Sequence, residues 1–125
     1  MDDSPLYEVK ADLFRGLAHP LRVRLLELLC AAPELPVATL LAETQLKPAH
    51  LSQHLAVLRR YGLVLSERRA SQVYCRVSDP SVGEMLAAAR SLLSRTLEAR
   101  IRVSGELNLP VLAQALPAAA LGGSR

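Results

Sequence analysis

Four residues, Thr44 to Lys47, separate two segments that each open on a proline: "PVATLLAE" from Pro36 to Glu43, and the run that begins at Pro48. Proline at the first helical position gives up only an amide that would go unbonded there, so both segments read as helices. A link this short makes them a helix-turn-helix pair, in which the first helix is packed away and the second keeps one side outward.

That second helix, "PAHLSQHLAVLRR", has two unlike sides. With residues placed 100° apart and Leu51 at the centre of the buried side, Leu55, Leu58 and Gly62 gather around it, while Ala49, Ser52, Gln53, Ala56 and Arg60 point away. The outward side is small, polar and finally cationic. Alanines permit close approach, Ser52 and Gln53 carry hydrogen-bonding groups suited to base edges or phosphates, and Arg59 or Arg60 can neutralise backbone charge. Lys47 at the turn and His50, also exposed by this placement, lie within reach of phosphate. The plain alternative is a solvated polar face.

After Gly62 the period changes. "LVLSERR" (63–69) and "QVYCRVS" (72–78) alternate as strands do, with Ala70 and Ser71 as a tight connection, so a β-hairpin is expected with arginines at its tip. A helix-turn-helix followed by a basic hairpin is a winged helix. In that architecture the helix enters the groove while Arg68, Arg69 and Gln72 reach flanking phosphates or the minor groove; Arg76 sits farther from the tip. Charge agrees with this. Between Lys47 and Arg76 six cations face one acid, Glu67, so this stretch holds +5 in a chain whose total is +3. A focused basic patch attracts a polyanion, and duplex DNA is the expected partner.

Around this unit the chain reads as helical. Ser4-Pro5 starts a first helix to about Ala18, with Leu6, Val9, Leu13 and Leu17 on one stripe. Leu21 to Ala32 is a second helix, apolar enough for the centre of a core. Asp79-Pro80 launches a long last helix to about Ser104, with a stripe that includes Leu86, Ala89, Leu93 and Leu97. At 1.5 Å per residue such a helix spans roughly 37 Å, more than the small domain can cover. Its apolar face, with Leu6 and Val9 of the first helix, is therefore expected to form a homodimer interface; the alternative is a monomer whose last helix closes the core. The expected class is mainly α with a β-hairpin wing, five helices and two strands. Residues 1–105 form the DNA-binding and dimerisation domain, and 106–125 form a Pro/Ala/Gly-rich tail, expected to be mobile, whose "LPVLAQAL" run would otherwise dock on the body.

Several classes are disfavoured. The polar, acidic N-terminus and the lack of an apolar run of about 18 residues argue against export or membrane insertion. Two well-separated cysteines suit a reducing cytoplasm better than a disulfide framework. Catalysis lacks its usual signatures: there is no Gly-rich phosphate loop, nucleophile elbow or histidine pair at metal spacing. The competing binding class is a winged helix that serves as a protein–protein module.

Three stretches, "FRGLAHPLRVRLLELL", "LSQHLAVLRRYGLV" and "VYCRVSDPSVGEML", resemble the ArsR/SmtB family of bacterial winged-helix transcription regulators over roughly residues 5–100. The first is similar to the family's Ala-His-Pro-x-Arg signature, the second to its Ser-x-His-Leu recognition helix. The resemblance implies a homodimer on a pseudo-palindromic operator, usually a repressor released by an effector, often a metal ion.

The family's metal sites do not carry over. One rests on Cys-x-Cys in the segment matching "ELPVATLLAE", which holds no cysteine or histidine here. The other uses Asp and His along the last helix, where Asp79 and Glu84 occur without any histidine. No cofactor is expected, an atypical transition-metal site stays open, and the effector is a redox signal, a small molecule, a partner protein or none. Cys30 and Cys75 read as buried small hydrophobes. His19 reads as an interhelical hydrogen-bonding residue, and His54, about 60° from Leu51, as a residue at the core edge.

Overall fold

The computed structural model describes residues 3–104. The elements are α1 (Leu6–Leu17), α2 (Pro20–Cys30), β1 (Leu35–Pro36), α3 (Val37–Thr44), α4 (Pro48–Arg60), β2 (Val64–Arg69), β3 (Gln72–Val77) and α5 (Ser81–Ser104). The described residues divide into two compact units, on either side of the Glu84–Met85 bond.

In the first unit the core is aliphatic. Leu25, Leu26 and Leu29 of α2, Leu40 of α3, and Leu51, Leu55 and Leu58 of α4 are buried together with Leu63, Val64, Cys75 and Val82. Each fully buried aliphatic side chain contributes about 1.5–3 kcal/mol relative to exposure. Among the described residues no polar or charged side chain is buried. The outward side of α4 is thus anchored by its own opposite face.

Local chemistry sets the ends of the helices. Pro5 takes the N-cap position of α1, its carbonyl accepting from Glu8 and Val9 at 3.0 and 3.2 Å, so the cap falls one residue after the expected Ser4. At α2 the His19 side chain is the cap: Nδ1 accepts from the Leu21 amide at 3.1 Å, with Pro20 behind it at the first helical position. The helix ends at Cys30, before the expected Ala32, leaving room for β1.

The turn between α3 and α4 relies on Thr44 and Gln45. Gln45 adopts a left-handed φ of 61° and returns its amide to the Leu41 carbonyl at 2.9 Å. The Thr44 hydroxyl donates to the Leu40 carbonyl at 2.7 Å. Lys47 is extended, as a residue before proline must be, and its carbonyl accepts from Leu51 at 3.0 Å.

At the other end of α4, the Gly62 amide bonds to Arg59 and the Leu63 amide to Leu58, both at 2.9 Å, which is a Schellman ending. Gly62 has φ of 72° and is exposed, so it belongs to this stop and not to the buried side expected from helical spacing.

The sheet has three strands in the order β1-β3-β2. The hairpin is antiparallel with Arg69 opposite Gln72, Arg68 opposite Val73 and Ser66 opposite Cys75. β1 adds Leu35 opposite Cys75 and Pro36 opposite Tyr74. Only the hairpin was expected; proline in a two-residue segment gives no alternation to read, and an outer strand is the place where it is tolerated.

In the second unit, α5 continues to Ser104. Ala89, Leu92 and Leu93 are exposed, the two leucines at 66% and 38%, while Leu86 and Leu97 are half-buried. Residues 106–125 and the "LPVLAQAL" run lie outside the described residues.

Candidate nucleic-acid interface

Between α3, α4 and the hairpin lies a groove of about 650 Å³. Its floor is apolar, from Val37, Leu41, Leu55 and Val73, and Ser52, Arg59, Ser66, Arg68 and Gln72 stand along it. Residues that sequence reasoning assigned to two separate elements therefore share one concave surface. Gln53 is exposed beside Ser52, and Lys47, Ala49, His50 and Arg60 are exposed as well. Ala56, expected outward, is half-buried because it sits between the two sides.

The hairpin's two tip arginines have different surroundings. On β2, Ser66 and Arg68 share one face by strand alternation and both line the groove. Arg68 has no side-chain partner among the described residues. Arg69 turns to the other face, where its Nη2 donates to Oε1 of Glu34, and its guanidinium lies 3.9 Å from the centre of the Tyr74 ring. Glu67 stands 3.9 Å from its Nε. The hydrogen bond from Arg69 is the main cause that holds the Glu34 carboxyl below the usual carboxylate range; the charges of Arg69 and Arg76 add to it. Glu34 and Tyr74 were not singled out in the sequence, since their meeting depends on the pairing of β1 with β3.

Other polar contacts tune the rim. Arg59 donates to the Ser66 hydroxyl at 3.3 Å, tying α4 to the wing. Tyr74 Oη donates to Gln72 Oε1 at 3.1 Å. On the far side of α4, His54 is half-buried with its ring centre 4.4 Å from that of His19, which confirms its place at the core edge. His19 caps its own helix and meets a second one through the ring contact. Burial, then the charges of His19, Arg22 and His50, push the His54 imidazole below its ordinary range.

Cys75 is buried as expected, with the Ser66 hydroxyl 3.5 Å from its Sγ. Cys30 is exposed, contrary to expectation, because α2 ends there and turns its last residue outward. The partial covering of its sulfur and the neighbouring Glu27 carboxylate raise its thiol above the ordinary value, away from the reactive thiolate. α3 holds no cysteine or histidine, and among the described residues of one chain no three His, Cys, Asp or Glu come together to hold a metal ion. No helix of the described chain is long and apolar enough to cross a membrane.

The sequence profile described as "Bacterial regulatory protein, arsR family" matches residues 19–66, from the His19 cap into the first strand of the wing. An HTH-type transcriptional regulator of Mycobacterium tuberculosis, Rv0081, is 39% identical over 107 residues, covering 86% of this chain and 94% of the relative. The chain belongs to the ArsR family. It is a winged helix-turn-helix transcriptional regulator.

The crystal structure of Rv0081 superposes with a TM-score of 0.73 at 41% identity, covering 79% of this chain and 99% of that one. The biofilm growth-associated repressor of Agrobacterium fabrum is 35% identical over 78 residues, 62% of this chain and 66% of that protein. The fold is shared as well by the homodimeric winged helix-turn-helix DNA-binding domain Mb0332 of Mycobacterium bovis, with a TM-score of 0.65 at 23% identity. That match covers 75% of this chain and 91% of that one.

Proposed function

We propose that this ArsR-family regulator is a homodimeric repressor that inserts the α4 helices of two protomers into successive major grooves of a pseudo-palindromic operator. The observation that carries this reading is the groove on which Ser52, Arg59 and Arg68 stand together, with Gln53 exposed beside them. Gln53 and Ser52 supply base-edge contacts, with glutamine suited to adenine; Lys47, His50, Arg59, Arg60 and Arg68 supply contacts to phosphate.

Dimerisation is supported by the exposed apolar side chains of α1 and α5: Leu6 at 67%, Val9 at 49%, Leu92 and Leu93. The homodimeric Mb0332 domain has the same fold. Two protomers would read half-sites about 34 Å apart. Repression is supported by the name of the Agrobacterium relative. The protein acts in the cytoplasm, and its input is a metal ion at an atypical site, a redox signal, a small molecule or a partner protein, or it answers to none.

Mobility-shift titration on DNA from upstream of its own gene, at two salt concentrations, tests the reading. Binding weakens steeply as salt rises if several phosphates are neutralised. Gln53→Ala narrows the gap between operator and altered sites by about 1–3 kcal/mol, and Arg68→Ala weakens all sequences alike. Binding unmoved by salt would favour a protein–protein module instead.

A further inference from the structure

We infer that Arg69, although it stands at the wing tip, is not one of the cations that grip DNA: it is a positioning residue whose charge Glu34 withholds, so that Glu34 sets the electrostatic grip of the wing. This rests on the DNA-binding reading above.

Three observations converge on Arg69. Its guanidinium donates to Glu34, has its carbon 3.9 Å from the centre of the Tyr74 ring, and has Glu67 at 3.9 Å. A planar cation engaged at its edge and on its face is held in one orientation. Glu34 is itself placed by the sheet. β1 pairs Leu35 with Cys75 and Pro36 with Tyr74, and extending that register by one residue sets Glu34 beside Arg76, on the face that carries Tyr74. Strand alternation gives Arg68 the opposite face, and Arg68 lines the groove with Ser52 and Arg59; Glu67 and Gln72 from the Arg69 face also line it, but Arg69 does not. The two neighbouring arginines thus divide the work: Arg68 serves the duplex and Arg69 fastens the hairpin to the α2–β1 segment.

An exposed ion pair is weak in itself, but Glu34 and Tyr74 together hold Arg69. While Arg69 stays on Glu34 it neutralises no phosphate and releases no counterion from the DNA. Removing the carboxylate frees that cation to neutralise one.

The test measures affinity for a mixed-sequence duplex across a salt series, using wild type, Arg68→Ala, Arg69→Ala, Glu34→Gln and the double variant Glu34→Gln/Arg69→Ala. Circular dichroism establishes that each is folded. Per bound protomer, the slope of log K against log salt should fall by about 0.9 for Arg68→Ala, stay unchanged for Arg69→Ala, and steepen by up to about 0.9 for Glu34→Gln. The double variant should return to the wild-type slope. A shallower slope for Arg69→Ala, with none of the steepening in Glu34→Gln, would make Arg69 an ordinary phosphate contact and overturn the inference. Weaker binding by Glu34→Gln at every salt with an unchanged slope would overturn it too, leaving a merely structural pair. Wild-type protein that ignores the duplex even at low salt sinks the DNA-binding reading. The pair is then decided by an NMR titration of the Glu34 carboxyl in the free protein. Titration below the ordinary range in wild type, restored to that range in Arg69→Ala, sustains the withheld charge; an ordinary value in both overturns it.

Discussion

Gly16 of α1 and Tyr61 at the end of α4 touch so closely that a Cβ on the glycine would lie 2.6 Å from Cδ2 of the ring. The atoms met are those of the ring near its attachment, which cannot swing aside as the tip of a long chain would. Tyr61 Oη also reaches Asp12 at 3.5 Å, and the Gly16 carbonyl accepts from Arg22 Nε at 2.7 Å. The glycine is therefore the point at which α1 is seated on α4. Gly16→Ala gains up to about 1 kcal/mol of helix propensity, against about 1–3 kcal/mol for overpacking. Thermal or urea unfolding should show net destabilisation. In a Tyr61→Ala background the same change should stabilise, and an equal cost in both backgrounds would disprove the contact as the cause.

Ala70 carries a positive φ of 55° at the tip of the wing, a backbone state that costs an L-residue about 1–2 kcal/mol and glycine almost nothing. Ala70→Gly should relieve that strain, offset in part by the greater freedom of glycine in the unfolded chain. The expected result is a gain of up to about 1 kcal/mol in unfolding free energy, without change in the far-UV spectrum. A loss of stability would mean that the turn is not strained at this residue.

Most of the fold is legible in the sequence because the signals are local. Pro20, Pro36 and Pro48 mark helix starts, Gly62 marks a stop, and Leu51, Leu55 and Leu58 repeat at helical spacing; the observed ends fall within two residues of those expected. What escapes is non-local. β1 is two residues long, and its pairing with β3 depends on where α2 stops. That pairing brings Glu34 to Arg69, so the two arginines at the wing tip, alike in the sequence, differ in the structure. Cys30 is misread for a similar reason: an apolar helix suggests burial throughout, but its last residue is turned outward.

On α5, Leu92 and Leu93 are exposed at 66% and 38% in a helix otherwise rich in charge and small residues. If they form the seam of a homodimer, a carboxylate at that seam must either be desolvated or face its own copy. Leu93→Glu should shift sedimentation equilibrium toward the monomer, and operator affinity should fall because only one half-site is then held. Leu93→Met should leave both unchanged. A Leu93→Glu protein that remains dimeric would place the interface elsewhere.

The His54 imidazole sits 4.4 Å from His19, is half-buried, and faces the charges of Arg22 on α2 and His50 on its own helix. Burial is the leading cause that holds its folded-state value below the ordinary one near 6.5. Since the unfolded chain takes up this proton more readily, the neutral ring contributes stability that is complete above about pH 6.5 and is lost as pH falls below it. Melting temperature should therefore decline from pH 7.5 to pH 5.5. In His54→Gln, which keeps a polar side chain without a titrating ring, that part of the decline should vanish even if the variant is less stable throughout. An identical slope in wild type and His54→Gln would assign the acid sensitivity to another group.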